Sequence, residues 1–379
     1  MISALAYPDR VCGIAFRMYS NKESKHISKL LAAMNQHFPA LESLELHCSG
    51  FLQLYFTPAF LTAQIPNLRN LKFIGNVTNL CRILPHAISL VDLTLGVPIR
   101  EFLPRDNQLL VHLKDVASLH RLTVEALDVY LPYHTGEMEG VLLPTLTSLS
   151  FTGPMALWEV LMAGLEAPSL QELRISTYDT HVIPTPNHLT SFIRNSGKEF
   201  LSAQLKVQER EINLVVSTRS QSTDDDPPFK VIASGMRSIL MMVNLFSETL
   251  ATVEDVFLAS PLHLRNLVTP IQGTVHSHML FTPFRDAKTL RVLPGIEPEV
   301  GDMFHNEDLF SDLLPALEEI ELNVMRPSCR PIRIDEKEVV SILKPLKPFV
   351  DARQQAGHPV KVHWNTDRVL PEYFCNTNM

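Results

Sequence analysis

Apolar residues recur along this chain in a six-residue pattern, Leu-x-x-Leu-x-Leu in its fullest form. The clear copies are Leu41/Leu44/Leu46, Leu68/Leu71/Phe73, Leu90/Leu93/Leu95, Leu119/Leu122/Val124, Leu146/Leu149/Phe151, Leu170/Leu173/Ile175 and Leu317/Ile320/Leu322. Weaker copies start at Val11, Val253 and Ala287. From Leu41 to Leu170 the first positions lie 27, 22, 29, 27 and 24 residues apart. Within a copy the last two apolar residues flank a polar one, as in Leu44-Glu45-Leu46, so two side chains point into a core and one to solvent. Each copy therefore predicts one short strand.

Intervals of roughly 20–29 residues are those of leucine-rich repeats, in which no unit buries its own apolar face and stacking builds a shared core. The fold class predicted is α/β: a leucine-rich-repeat solenoid, a curved parallel sheet with helical connectors on the convex side. Parallel neighbours require crossovers, and helical spacing appears at His26 to Phe38, Asn107 to Val116 and Met155 to Leu165. Prolines at positions 39, 66, 144, 168 and 315 precede strands, where they end a connector and hold an extended lead-in. The reading gives one domain over residues 1–364 and a C-terminal tail over 365–379. The register blurs within 177–250, where 203–207 and 211–216 read as a strand pair, or as one strand flanked by a turn. A helix is expected from Met236 to Leu250, and 217–228 reads as a solvated, acidic, proline-closed loop. The acidic residues after Ser222 and Thr223 would also suit an acidophilic kinase. His363-Trp364 reads as part of a capping strand.

Composition narrows the function. A chain of 379 residues with 45% hydrophobic and 20% charged residues can bury a large core, and a solenoid accommodates that length in a single domain. Net charge is −8 and the isoelectric point is near 6.0, with no basic run, which argues against a nucleic-acid partner. Five scattered cysteines without a Cys-x-x-Cys spacing suggest reduced thiols and a cytoplasmic or nuclear location. No secretory signal or membrane span is expected, so the sequon at Asn76 should stay unmodified. The expected state is a monomer with an unidentified protein target.

Motifs for chemistry are sparse. With 14 glycines the chain carries no phosphate-binding loop and no nucleophile elbow. His276 and His278 form a close pair, without a carboxylate or cysteine nearby to complete a metal site. Carboxylate pairs such as Glu318-Glu319 sit on strands, where acid–base work would need an enclosing cleft. Neither a catalytic residue nor a cofactor is expected. Strand alternation instead nominates outward residues for protein binding: Glu45, Lys72, Arg121, Thr123, Ser150, Arg174, Phe257, Arg291, Glu319 and Glu321. Phe257 has the profile of an interface hot spot if it faces outward. A one-residue slip of that weak copy would place it in the core instead.

Several segments together resemble F-box proteins of mushroom-forming fungi. They are the closing stretch from Phe349 through Arg353, Gly357-His358-Pro359 and Trp364; Asp9-Arg10-Val11 with Ile14; Leu30 to Met34 with Phe38-Pro39-Ala40-Leu41; and the Leu143, Ala167 and Leu314 proline segments. The similarity spans nearly the whole chain. It implies a substrate receptor of a cullin-RING ubiquitin ligase, in which an F-box docks on a Skp-type adaptor and the repeats hold a target. Here the first repeat begins almost at Met1 with no F-box ahead of Asp9. The expectation is therefore a target-binding repeat region, either truncated or a repeat-only relative, with adaptor docking assigned to no residue. The alternative is a leucine-rich-repeat scaffold or regulator unrelated to ubiquitin. A third reading is an enzyme with a site hidden within 177–250.

Overall fold

A computed structural model describes residues 7–18, 37–48, 66–75, 84, 87–97, 113–114, 116–126, 140–176, 191–192, 202–207, 212–218, 230–234, 239, 242–243, 246–259, 281–292, 314–323 and 336–365. The chain divides into two compact units, Met1–Ser196 and Gly197–Met379. The architecture is a solenoid built mostly of parallel strands, with few helices among the described residues.

In the first unit β1 (Gly13–Met18), β2 (Ser43–Cys48), β3 (Asn70–Ile74), β4 (Asp92–Val97), β5 (Arg121–Ala126), β7 (Ser148–Thr152) and β9 (Glu172–Ser176) lie side by side, all parallel and in chain order. A separate parallel pair joins β6 (Val141–Leu142) to β8 (Leu165–Glu166). Each of the ten motif copies in the chain carries a strand that begins two residues after its first apolar position. The second motif position forms a ladder of Leu44, Leu71, Leu93, Leu122, Leu149 and Leu173, each at most 2% exposed. Burying one such leucine contributes about 1.5–3 kcal/mol.

What the sequence pattern did not reveal is how each repeat is closed. Ahead of the strand the chain makes a four-residue turn, whose last residue is the first apolar position of the motif. The N–H of Leu41 donates to the Phe38 carbonyl, Leu119 to Val116, Leu146 to Leu143 and Leu170 to Ala167. Pro39, Pro144 and Pro168 thus occupy the second turn position, which their fixed φ suits, instead of holding an extended lead-in. Two interactions tie neighbouring repeats together, the first through the residue that follows the turn and the second through the third turn residue in some repeats. First, one carbonyl accepts two successive N–H groups: Cys12 from Glu42 and Ser43, Glu42 from Arg69 and Asn70, Val91 from His120 and Arg121. Second, the third turn residue reaches back. The Ser118 hydroxyl donates to the carbonyls of Ile88 and Leu90, 2.8 and 2.9 Å away, and Thr145 does the same to Ala117 and Leu119. Asn67 donates to the Pro39 carbonyl at 2.7 Å.

Of the expected connectors, Met155 to Leu165 is present as α1 (Met155–Ala163). It buries Trp158, whose ring lies 5.1 Å from that of Phe151. The segments 26–36, 107–112, 219–229 and 366–379 lie outside the described residues, as do His276, His278 and Asn76.

In the second unit the order is β12 (Lys230–Ser234), β11 (Ile212–Ser217), β10 (Ser202–Val207), β13 (Asp255–Ala259), β14 (Thr289–Val292), β15 (Glu319–Asn323) and β16 (Lys361–Asn365). The strands from β10 through β13 to β16 pair in parallel; β10, β11 and β12 pair antiparallel. The strand-pair reading of 203–216 is the one observed. Only residues 208–211 link β10 to β11, too short a connection for a parallel crossover. Ile239, Met242 and Val243 are helical, but Ser247–Leu250 forms a separate short helix, α2, that starts after the non-helical Phe246, so the helix expected from Met236 to Leu250 is not continuous. Ala203, Leu214, Ile239, Val243, Val256, Phe281 and Phe284 surround an apolar gap of about 10 Å3, at the lower limit for one water and without polar partners.

The chain returns to the sheet through α3 (Glu336–Gln355), which contains Pro345 and Pro348 and therefore lacks two N–H donors. Packing holds it: Leu346, Phe349 and Arg353 are at most 2% exposed. Gly357, at φ 83, ends it in a left-handed conformation, with the His358 N–H on the Arg353 carbonyl and the Gly357 N–H on that of Gln354. Arg353 donates to the carbonyls of Pro315 and Leu317 at 3.0 and 3.2 Å. These are the same two turn positions that Ser118 and Thr145 satisfy in earlier repeats. Burial lowers the guanidinium pKa from its ordinary value. The turn it fastens starts at Leu314, a non-glycine at φ 49.

Two measurements check this account. Leu149→Ala should cost about 2–5 kcal/mol of unfolding free energy. Urea denaturation followed by Trp158 fluorescence in a Trp364→Phe background reads it, since the chain has one tryptophan in each unit. Arg353→Met keeps the apolar stem but leaves two turn carbonyls without their donor, at a cost of about 2–3 kcal/mol. Hydrogen exchange should then accelerate across 314–323 and 346–365 while β2 to β5 keep their protection.

Candidate interaction surface

Side chains opposite the leucine ladder stand in rows set by the strand register. In the first unit one row runs Gly13, Ser43, Asn70, Asp92, Arg121, Ser148, Glu172; the next runs Ala15, Glu45, Lys72, Thr94, Thr123, Ser150, Arg174. In the second unit a row runs Ile232, Val215, Gln204, Phe257, Arg291, Glu321, His363, beside one of Asp255, Thr289, Glu319 and Lys361. All ten residues nominated from the sequence fall on these outward rows. Phe257 is among them, directly beside Arg291, while its neighbour Val256 is buried. The one-residue slip did not occur. Six of the ten belong to the first unit and four to the second, and each set is considered on its own unit.

The outer face of the first unit is polar and laced by ion pairs between adjacent strands. Arg17 meets Glu45 at 3.1 Å, Lys72 lies 4.0 Å from Glu45, and Arg121 meets Asp92 at 2.7 Å. Arg174 hydrogen-bonds Glu172 on its own strand. The arginines keep more than half their side-chain surface in water, so each pair contributes little to stability, about 0.2–1 kcal/mol. Between the charged ends stands a neutral hydroxyl group of Thr94, Thr123 and Ser150 on three adjacent strands. Ile74, also at an outward position, lies over Gly96. A Cβ there would come within 2.9 Å of it, so the close approach requires glycine.

The second unit differs in kind. Arg291 sits between Glu321 at 2.6 Å and Asp255 at 3.5 Å, with its guanidinium 4.8 Å from the centre of the Phe257 ring. The Arg291 side chain is only 17% exposed and Glu321 10%. Ion pairing, hydrogen bonding and a cation–π contact converge on one arginine that has lost most of its water. Val215 and Ile232 extend the row with two half-buried apolar side chains. At the rim, His363 lies 3.6 Å from Glu319. Lys288 meets Glu254 at 2.7 Å, a hydrogen bond that raises the lysine pKa above its ordinary value.

Sequence reasoning missed Arg17, Val215 and Ile232. Arg17 belongs to a weak copy, one position beyond its last apolar residue, Phe16. Val215 and Ile232 lie in continuous apolar runs, 214–216 and 231–233, where alternation gives no sign of which side faces out.

Among the described residues no group of three or more His, Cys, Asp or Glu is placed to hold a metal ion. No described helix is long and apolar enough to cross a membrane. No protein-family model matches the chain, and no curated protein matches it.

The two arginine environments predict different mutational costs. Arg291→Ala strands Glu321 and Asp255 without their cation and should cost about 2–3 kcal/mol, below the roughly 3–5 of a fully buried pair because some water contact remains. Arg121→Ala should cost under about 1 kcal/mol. Chemical denaturation of the two variants beside the parent chain checks the contrast; equal costs would contradict it.

Proposed function

We propose that the chain is a non-enzymatic protein-recognition domain that holds a protein target on the outward rows of its strands. The observation that carries this reading is the register. Residues far apart in sequence, such as Glu45, Lys72, Thr123, Ser150 and Arg174, stand on neighbouring strands at fixed spacing with their polar groups presented together. Strands spaced by hydrogen bonds form a stiff surface, so a partner meets side chains whose positions are already set, and less ordering entropy opposes binding. On the second unit Phe257 and Arg291 are the residue types that dominate interface energetics.

The resemblance to fungal F-box proteins supports a finer form of the proposal. The repeats are leucine-rich repeats with helical connectors, and they serve as the target-binding part of a ubiquitin-ligase receptor. The competing reading is a scaffold or regulator of the same fold with no link to ubiquitin. Co-purification of a Skp-type adaptor with the chain, expressed together with whatever coding sequence precedes Met1, favours the receptor; target capture without adaptor favours the scaffold.

Recognition itself is tested by affinity capture with quantitative mass spectrometry. The parent chain should enrich a discrete protein. A Lys72→Gln, Arg121→Gln, Arg174→Gln variant, altered only on the outer face, should lose at least tenfold of that enrichment, or about 1.4 kcal/mol, while it stays cooperatively folded and loses only the small contribution of these exposed pairs. Equal recovery by parent and variant would sink the assignment of these rows.

A further inference from the structure

We propose that the outer face of the first unit binds an acidic segment of its target, held in a polyproline II conformation with a carboxylate at every third residue. This rests on the protein-recognition reading proposed for the chain and names the chemistry of the partner. In the strand order β1, β2, β3, β4, β5, β7, β9, the outward cations Arg17, Lys72, Arg121 and Arg174 occupy alternate strands. Each is two strand spacings from the next, about 9.4–9.8 Å across the sheet. They lie on three adjoining rows, an offset that their long side chains take up, and Arg17 leans back one row to Glu45. A polyproline II helix has three residues per turn, so every third side chain returns to one face after about 9.3 Å. A β-extended peptide does not match, because its every third side chain alternates between faces.

The charges favour an acidic occupant. The four cationic side chains are 44–61% exposed, whereas Glu45, Asp92 and Glu172 beside them are 23–29% exposed, so an approaching partner meets positive charge first. Glu45 is shared by Arg17 and Lys72, two cations on one carboxylate. Lys72 stays 4.0 Å from it, too far for a hydrogen bond, and has no other partner among the described residues, so its three N–H donors are unspent. Arg121 meets Asp92 through Nε and one Nη, and Arg174 meets Glu172 through Nε. The remaining Nη groups of both have no partner among the described residues and can take a second carboxylate.

Between Lys72 and Arg174 the same row holds Thr94, Thr123 and Ser150, whose hydroxyls have no protein partner among the described residues. A polyproline II backbone makes no internal hydrogen bonds, so its carbonyls can accept from them. Its conformation is also set before binding, which lowers the ordering cost. Glu125 stands four residues beyond Arg121 on β5 and repels an acidic chain there, which keeps the ligand on the rows of the cations. Nucleic acid fits poorly. A continuous phosphate backbone would run over Glu45, Asp92 and Glu172, and the chain carries a net charge of −8.

Fluorescence anisotropy of labelled peptides titrated with the full chain at low salt tests the proposal. The probes are a peptide of four Glu-Pro-Pro repeats, an isomer of the same composition with its glutamates contiguous, and the Gln-Pro-Pro counterpart. The Glu-Pro-Pro peptide should bind at least tenfold tighter than either control and weaken as salt rises. Lys72→Gln and Arg121→Gln should each weaken it at least threefold, with far-ultraviolet circular dichroism unchanged. Absence of binding, equal binding of the contiguous isomer, parent-like binding by the folded variants, or tighter binding of oligouridylate or of phosphatidylserine vesicles would overturn the proposal. If the chain then still captures a protein through Lys72, Arg121 and Arg174, the recognition reading stands and the acidic, three-residue spacing alone falls.

Discussion

The structure depends on a hand-over between repeats, in which the carbonyl of the residue between a turn and its strand receives the N–H groups of the last residue before the next strand and of that strand's first residue. Cys12 does this for β2, Glu42 for β3, Val91 for β5 and Glu254 for β14. The interaction fixes where a strand begins relative to its neighbour, and that in turn fixes every residue across the sheet. A shift of one residue would put the leucines in water and the outward charges in the core. Because the carbonyl belongs to the preceding repeat, no repeat is complete alone. Stability must then be shared between neighbours, as expected of a solenoid.

The same logic explains what happens at the back of each turn. A four-residue turn closed by an apolar residue leaves its second and fourth carbonyls pointing toward the next repeat. A hydroxyl at the third position of the following turn satisfies both, which Ser118 and Thr145 do. Among the described residues no further turn of this type follows β15 to supply a hydroxyl, and Arg353 reaches in from α3 to bind the equivalent carbonyls. A guanidinium can do this from farther away than a serine, at the cost of burying a cation. The helix must then be positioned firmly, and its left-handed Gly357 terminus together with buried Phe349 provides that. The last repeat is thereby closed by the chain's own helix, whereas at β1 the inward Ile14 and Phe16 keep contact with water.

Much of this was legible in the sequence, for a definable reason. The motif copies located ten strands and named which side of each faced out, because a half-buried strand writes its environment into alternate residues. Even the weak copy at Val253 placed Phe257 correctly. Where burial continued through consecutive residues, as at 214–216, the alternation vanished and with it the orientation of Val215. The antiparallel course of β11 and β12 was half visible, since a short 208–211 link leaves only a hairpin. The turn hydroxyls escaped notice because serine and threonine ahead of a strand are common in any loop. Only the backbone shows that they meet specific carbonyls. Arg353 escaped for the same reason, since its place in the sequence says nothing of the turn 36 residues upstream that it binds at Leu317.

The two outer faces carry different energetics, and this bears on how a partner would engage them. On the first unit the charges are solvated, each pair contributing little, so they can rearrange around a ligand at small cost and chiefly tune association and selectivity. On the second unit Arg291 is already desolvated by Glu321, Asp255 and Phe257, so its cost of ordering has been met during folding. A partner that covers Phe257, Val215 and Ile232 gains apolar burial without first dismantling an ion pair. For a partner of the second unit, affinity should come from the preorganised aromatic–arginine cluster; for a partner of the first, the exposed charged rows should chiefly discriminate.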